Sequence, residues 1–551
     1  MDSPQVAPAE KGLPRALLLA LFAALTLIWF ADIEWRDLTH TDEGRYAEIP
    51  REMVATGDWL TPRLNGFKYF EKPPLHYWIT AAFYELFGLH DWVSRLWTEL
   101  ASWLLILFSG WVAWRLYGPR AGWITGLVLA ANPYFYLVSH INVLDTGLAL
   151  FMNLCLFAFI LAQKAGDEAG HRRWMAIAWG AAAGALLTKG LVGIVLPGAV
   201  FVLYSLLRRD LHIWTRLWFW PGLALFLALS APWFVLVSLH NPDFARFFFI
   251  HEHFERFLTK THGRYEPWWW FLPFLLLALL PWFGALRGVG RMLLEALRRP
   301  APGFDERLFL ILWTGFIFVF FSVSSSKLPH YLQPIMPALA LLLGSWLAGR
   351  WPALAATALW TLLFGIVGLI VLSLDLPAYQ PFLPWLPWLR VAFAVLAASG
   401  LLVYWQRKRG DRALLIHGLG WLLWPAIILA GSQSVADMRS ARSLVEPLHE
   451  AIDGAPFYSV DFYQQTVPWY LRRTVTLVGW RGELDFGIQR QPEDWLPDHQ
   501  AFARHWRQEP DAWALIPRSS YPALQAMHLP MQVRSENRDF LVVSHPEDSS
   551  P

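Results

Sequence analysis

Residues 14–31, PRALLLALFAALTLIWFA, are followed closely by 41–78, TDEGRYAEIPREMVATGDWLTPRLNGFKYFEKPPLHYW, and the contrast between the two decides the fold. The first stretch approaches the roughly 20 apolar residues that a bilayer core requires of a helix. The second holds Asp42, Glu43, Arg45, Glu48, Lys68, Glu71 and Lys72. Of the 551 residues only 16% are charged, against about 25% in an ordinary globular chain, and 56% are hydrophobic. Acids and bases grouped at one edge of hydrocarbon in such a chain point to chemistry at that edge. The bland reading is a solvated loop with casual ion pairs, each contributing only about 0–1 kcal/mol. It does not account for the density.

Further apolar runs centre on 92–116, 121–138, 143–163, 174–188, 191–207, 217–240, 268–288, 307–324, 331–349, 352–373, 386–405 and 413–431. With the first run this makes about thirteen helical spans. The basic residues then set direction. Lys11 and Arg15, Arg115 and Arg120, Lys164 to Arg173, Arg208 to Arg216, Arg287 to Arg307, Arg350, and Arg407 to Arg412 all fall in alternate loops, which the positive-inside bias makes cytoplasmic. The other side receives 32–91, 139–142, Thr188-Lys189, 241–267, the SSSKLPHY turn, 374–385 and everything after the last span. The basic start and Ala16–Phe30 have the outline of a signal peptide. Trp29 and Phe30 run into Asp32 and Glu34 without a small-residue cleavage site, so an uncleaved first helix is expected. A net charge of +2 gives no field for nucleic acid, and the single cysteine, Cys155, excludes an internal disulfide and Cys-based metal motifs.

After Gly431 the apolar runs stop. PFYSV (456–460), TVTLVG (474–479), WALIP (513–517) and DFLVVSH (539–545) read as strands around a helical DFYQQTVPWYLRR, giving a small α/β domain. The expected division is 1–431, a transmembrane part that includes the interfacial loop 32–91, and 432–551, a C-terminal domain on the outer face. Within the loop, GRYAEIPREMVATG reads as a short helix lying along the interface. Pro50 interrupts it and Gly57 ends it. After Pro73-Pro74 an aromatic amphipathic helix follows.

The stretch DEGRYAEIPREMVATGDWLTPRLNG…KYFEKPPLHYW resembles the bacterial lipid A aminoarabinose transferase family of polyprenyl-phosphate-sugar glycosyltransferases, which are related to the protein O-mannosyltransferases. The acidic pair and YFEKPP carry the resemblance, and the topology agrees along the membrane region. It implies a GT-C type fold of about thirteen transmembrane helices with interfacial helices and a C-terminal α/β soluble domain. It makes Asp42 the main catalytic carboxylate, facing the acceptor, with Lys72 as its partner. Asp145 lines the sugar or acceptor pocket. Lys189, Arg256 and Tyr331 serve the donor phosphate, and Arg45, Tyr46 and Tyr69 the substrate pocket. Glu71 and His251 become ligands of a divalent metal, zinc by family expectation.

Simpler roles stand beside these. Asp42 also suits a helix N-terminus, the lysines can snorkel to headgroups, and tyrosines anchor at interfaces. His251, in FFFIHEHFERF, has His253 as a rival ligand and Glu255 as a local partner at i,i+4. The loop SSSKLPHYLQPIMP holds Tyr331 and suits a segment that orders over the donor. Where the family runs FEKPIAGYW this chain has FEKPPLHYW, which keeps Glu71 and Lys72 and adds His76.

The reading is a monomeric bacterial inner-membrane enzyme with its site on the periplasmic side. It moves a sugar, 4-amino-4-deoxy-L-arabinose as the leading case, from undecaprenyl phosphate to lipid A phosphate with inversion, among membrane lipids and without nucleic acid. One alternative changes the sugar, or makes the acceptor a protein hydroxyl. Another is a transporter of a lipid-linked sugar, which calls for an internal repeat and deep ionisable residues; no repeat is read.

Overall fold

The computed structural model describes residues 13–255, 266–349 and 354–546, the side chains of 251–255 excepted. By internal contacts the chain forms two compact units, Met1–Asp32 with Thr98–Gly431, and Ile33–Trp97 with Ser432–Pro551. The interfacial segment, read from sequence with the transmembrane part, therefore clusters with the C-terminal residues.

Among the described residues nine helices are long and apolar enough to cross a membrane: Asp91–Tyr117, Leu144–Gln163, Phe219–His240, Leu272–Arg298, Glu306–Val323, Pro329–Ala348, Leu354–Val371, Leu386–Arg409 and Asp411–Met438. Four further expected runs are also helical but depart from a plain span. Pro119–Ala130 and Pro133–Ser139 are long and apolar enough only when taken together, and they are bent by 63° at their junction. Pro133 denies the ladder an N–H, and Asn132 caps the new helix by accepting from Phe135 N at 3.0 Å. Arg15–Trp29 and Val192–Arg208 are apolar but only 15 and 17 residues long. Glu168–Lys189 has the length, at 22 residues, but Glu168, His171, Arg172 and Arg173 and its Gly/Ala-rich remainder lower its hydropathy. Leu354–Val371 and Leu386–Gln406 pack at the backbone through Gly365 and Gly400, where a Cβ would stand 2.5 Å from the Ala397 and Leu362 nitrogens.

The second unit holds a hairpin and a six-stranded sheet. Strands β1 (Arg63–Leu64) and β2 (Phe67–Lys68) pair antiparallel through Asn65-Gly66, both at positive φ, as a two-residue hairpin turn demands. The sheet uses β3 (Phe457–Val460), β4 (Thr476–Val478), β5 (Trp495–Leu496), β6 (Trp513–Pro517), β7 (Gln532–Glu536) and β8 (Phe540–Ser544) in the order β5-β4-β3-β6-β8-β7. The first four are parallel, and β8 and β7 complete it antiparallel. Four strands follow the expected runs; β5 and β7 are additional, and QVRSE in β7 is mostly exposed, so no apolar pattern announces it. The core is Tyr458, Val460, Phe502, Trp506, Ile516 and Val543 with their neighbours. In a parallel sheet the loops beyond the carboxyl ends are free to carry function. Here those after β3 and β4 bring Gln465 and Glu483 against the helix Asp42–Thr56.

Candidate active site

The charged stretch does not turn its charges out to solvent. Helix Asp42–Thr56 runs unbroken through Pro50, ends at Gly57 in the left-handed conformation, and buries Glu43, Arg45, Glu48, Arg51 and Glu52. Its charges are covered because each has a partner. Arg95 grips Glu43 with two nitrogens, at 2.7 and 3.2 Å, and Thr39 donates its N–H and hydroxyl to the same carboxylate. Burial pushes Glu43 up, but the Arg95 guanidinium outweighs it and holds the carboxyl at about 2. Arg51 closes on both Glu48 oxygens at 2.6 and 2.5 Å. Glu52 accepts from Gly66 N at 2.9 Å with one oxygen, and its other, buried oxygen has no hydrogen bond among the described residues. Burial, with the Glu48 charge adding to it, pushes Glu52 up to about 8.

The acidic pair thus divides. Glu43 is a fastener, while Asp42 stays one-third exposed and takes Arg45 Nη1 at 3.0 Å. Asp42 opens the helix, where the unpaired backbone N–H groups favour an anion. The other Arg45 nitrogen, Nη2, makes a short ion pair with Glu483, and Gln465 Nε2 donates to Glu483 at 2.8 Å. Burial pushes the Glu483 carboxyl up against the pull of Arg45. Tyr46, Tyr69, Glu71 and Glu483 all interact electrostatically around this arginine. Buried Arg45 Nε and the Tyr69 and Tyr77 hydroxyls have no hydrogen-bond partner among the described residues. Unsatisfied buried donors of this kind suit a polar ligand that supplies their acceptors. Lys72 Nζ donates to the Glu71 carbonyl at 2.8 Å and lies 3.7 Å from the Glu71 carboxylate, whereas the partner seen for Asp42 is Arg45. His76 is fully buried, edge-on to Tyr46 with ring centroids 5.6 Å apart, and so is not an interfacial polar residue.

The membrane unit carries a second polar group. Asp145 stands in the first turn of Leu144–Gln163 and Lys189 in the last turn of Glu168–Lys189, so each charge complements its own helix dipole. Lys189 Nζ lies 2.6 Å from both Asp145 oxygens. His330 Nε2 is 3.3 Å from Asp145 Oδ2, and the ammonium sits 4.5 Å from the centre of the Tyr331 ring. Lys189 is therefore paired with a buried acid and does not merely snorkel. The turn Pro329–Ile335 that supplies His330 and Tyr331 is tied down. Tyr134 donates to the Pro329 carbonyl at 2.7 Å, Asn153 and Trp313 donate to that of Pro334, and Thr146 and Ser139 engage the Gln333 amide.

The structure thus brings together Asp42, Arg45, Tyr46, Tyr69, Glu71 and Lys72 in one unit, and Asp145, Lys189 and Tyr331 in the other. Arg256 lies outside the described residues. His251 falls in the π-helical stretch Arg246–Glu255, but its side chain is outside the description, as is that of His253. Among the described residues no group of three or more His, Cys, Asp or Glu converges as a metal site. Sequence reading missed Glu483, Gln465 and His330. The signal for the first two was a loop at the carboxyl end of a parallel strand. For His330 it was adjacency to Tyr331.

The chain is similar to known proteins in sequence and in fold. Residues 71–236 match the family of dolichyl-phosphate-mannose-protein mannosyltransferases, and 444–545 match the aminoarabinose transferase C-terminal domain. With the fold, these matches define a multi-pass membrane glycosyltransferase. The undecaprenyl phosphate-alpha-4-amino-4-deoxy-L-arabinose arabinosyl transferase of Pseudomonas aeruginosa (strain UCBPP-PA14) is 33% identical over 85% of this chain and 86% of its own length. That of Edwardsiella ictaluri is 29% identical over 87% and 91%. A crystal structure of ArnT from Cupriavidus metallidurans bound to undecaprenyl phosphate superposes with a TM-score of 0.90 at 36% identity, covering 98% of this chain and all of that one. The chain belongs to the aminoarabinose arabinosyl transferase family of polyprenyl-phosphate-sugar glycosyltransferases.

Proposed function

We propose that this protein transfers 4-amino-4-deoxy-L-arabinose from undecaprenyl phosphate to a lipid A phosphate on the periplasmic side of a bacterial inner membrane. The reading rests chiefly on one observation, the near-complete match to a structure that holds undecaprenyl phosphate. The acceptor oxygen attacks the anomeric carbon from the face opposite the donor phosphate. The new C–O bond forms as the sugar–phosphate bond breaks, the electron pair leaves with undecaprenyl phosphate, and the centre inverts. Lys189, steadied by Asp145 and Tyr331, meets the charge that grows on the leaving phosphate, which is electrostatic stabilisation of the transition state. Arg256 is proposed to share that task. Arg45, Tyr46 and Tyr69 hold the sugar, and Asp42 orients the acceptor with Lys72 as the neighbouring cation.

A phosphate monoester acceptor has its second pKa near 6, so it is largely ionised at neutral pH and needs no strong base. Asp42→Asn is therefore expected to leave measurable turnover with a phosphate acceptor. With a hydroxyl acceptor, loss of the general base removes a factor on the order of 10²–10⁴. The decisive assay uses the purified protein with undecaprenyl phosphate-aminoarabinose and lipid A, read by mass spectrometry. An aminoarabinose increment on lipid A is expected. An increment on a membrane protein, or none on lipid A, overturns the reading.

A divalent metal, zinc by family expectation, is proposed on Glu71, with His251 as the expected imidazole ligand. When bound it would supply Lewis-acid stabilisation of phosphate oxygens. The described side chains alone do not complete a metal site, so no step is assigned to it. Elemental analysis of the purified protein and its Glu71→Gln variant tests this; equal zinc content in both sinks it. The loop charge bias supports the periplasmic assignment. The protein is taken to act as a monomer, which light scattering in detergent checks.

A further inference from the structure

We infer that the membrane unit holds an anionic phospholipid in a groove at the end opposite Asp145 and Lys189. The inference stands apart from the transfer reading and does not depend on it. The groove, of about 340 Å³, lies between Arg15–Trp29, the 103–114 stretch of Asp91–Tyr117, and Pro119–Ala130. Three glycines, Gly110, Gly122 and Gly126, line it without side chains. At two of them the helices touch almost backbone to backbone, since a Cβ on Gly110 would stand 3.0 Å from the Gly122 carbonyl oxygen. Every side chain around this strip is aliphatic or aromatic, with Phe22, Trp103 and Trp114 the largest contributors together with Trp123. Such a surface accepts a hydrocarbon chain, whereas the hydroxyls of a sugar would go unpaired against it. Leu18, Phe22 and Trp114 are exposed, so a chain can enter from the bilayer.

Chain direction fixes where the groove lies. Trp29 donates to the Glu99 carbonyl at 3.2 Å and packs on Trp103, while Leu18 shares the groove with Trp114. The first two helices therefore run antiparallel, and Arg15 and Arg115 come to the same end. Pro119–Ala130 starts at that end too. The chain then reaches His140, whose Nε2 is 2.7 Å from the Trp29 carbonyl, and Asp145 at the other. The mouth of the groove is basic. Arg15 lies one helical turn before Leu18, and Arg115 follows Trp114 directly. Both arginines are exposed, and neither is paired with an acid among the described residues; Arg115 stands 5.7 Å from the Trp111 ring. Asp411, packed at the same end, is already taken by Arg120 at 3.3 Å. An apolar slot beneath two uncompensated guanidinium groups matches a lipid with a hydrocarbon chain and a net negative headgroup. The chain fills the slot and the phosphate meets the arginine forks. A zwitterionic headgroup carries the same phosphate with a cation that offsets the attraction.

Photo-crosslinking of the full-length protein in phosphatidylcholine nanodiscs tests this. The probes are a phosphatidylglycerol and a phosphatidylcholine with the same diazirine on the same acyl carbon, and labelled residues are mapped by peptide mass spectrometry. Phosphatidylglycerol is expected to label 18–25, 103–114 and 119–127 on the order of tenfold more than phosphatidylcholine. Arg15→Gln and Arg115→Gln should each lower that labelling about fivefold and leave the phosphatidylcholine level as it was. Gly126→Leu fills the groove, since an added Cβ there meets nothing nearer than 3.9 Å, and should remove the groove labels of both probes. Labelling of the exposed helix Leu354–Val371 should be the same in every variant and serves as the folding control. Equal groove labelling by the two probes in the wild type overturns the inference. So does phosphatidylglycerol labelling that survives loss of both arginines, which are exposed and can be replaced without disturbing packing if Gly126→Leu does not fold. Excess unlabelled undecaprenyl phosphate should not displace the probe; displacement would give the groove to a polyprenyl chain and overturn the inference as well.

Discussion

Asp42 and Glu43 are adjacent, have the same charge, and differ in everything that matters for function. Glu43 is sealed against Arg95 by two nitrogens, while Asp42 is partly open beside Arg45. Removing one partner of a buried ion pair costs about 3–5 kcal/mol, because the other charge stays buried. Glu43→Ala is therefore expected to lower the melting temperature sharply and reduce the folded yield. Asp42→Asn should melt as the wild type does and keep reduced but measurable transfer to a phosphate acceptor. Unchanged stability for Glu43→Ala, measured by thermal unfolding in detergent, would contradict the division. Glu52 behaves in the opposite sense from Glu43. Its folded carboxyl, pushed from 4.5 to about 8, holds its proton more tightly than the unfolded chain does. Its contribution is thus fully present below about pH 4.5 and is lost as pH rises toward 8, on the order of a few kcal/mol. Glu52→Gln should stabilise the protein at pH 8 and do little at pH 4.5, which paired melting curves at the two pH values would show.

At the scale of elements, the helix Asp42–Thr56 reaches its neighbours because Gly44 lets it. A Cβ there would stand 2.7 to 2.8 Å from the backbone of Gln465 and Thr466. All three atoms are main chain and cannot swing aside, so Gly44→Ala must push the helix off the turn that carries Gln465. Overpacking of this kind costs about 1–3 kcal/mol. Transfer activity is expected to fall further than the stability loss explains, since the Arg45–Glu483 pair moves with the helix. A variant with normal activity and normal melting would show that this contact has slack. The same elements show what was legible. Gly57 as the helix end, the turn at Pro73-Pro74 and the helix after it were readable, because Gly and Pro act locally. Asn65-Gly66 carries the strongest short hairpin signal, but strands of two residues on either side leave no alternating apolar pattern to mark the pair. The unbroken passage through Pro50 was not readable, because tertiary packing on both sides overrides the local break. Nor was the partner of Asp42: Arg45 is one helical turn away, but a helical register is needed to see it before Lys72.

In the whole molecule, residues far apart in sequence make one compact unit, and composition alone does not reveal the pairing. The apolar runs announced nearly every membrane helix, since hydropathy is a local property. They did not show that 33–97 and 432–551 share a unit, because the contacts that join them are polar and specific. Asn65 exchanges two hydrogen bonds with the Val475 backbone at 2.8 Å each, Gln491 accepts from Lys68 N, and Asp91 accepts from Trp469 and Tyr470. Arg51 donates to the Arg472 carbonyl, and Glu483 completes Arg45. A chain ending at Gly431 would keep every apolar run and lose all of these partners at once. Arg45 would lose Glu483 and Arg51 the Arg472 carbonyl, and each of these donors that stays shielded from water costs about 1–3 kcal/mol. Such a truncation is expected to insert in the membrane, to expose 33–97 to protease, and to have no transfer activity. Full activity with a protected 33–97 segment, scored by limited proteolysis of membrane vesicles, would mean that the interfacial segment holds its shape alone. Glu483 would then be dispensable to Arg45.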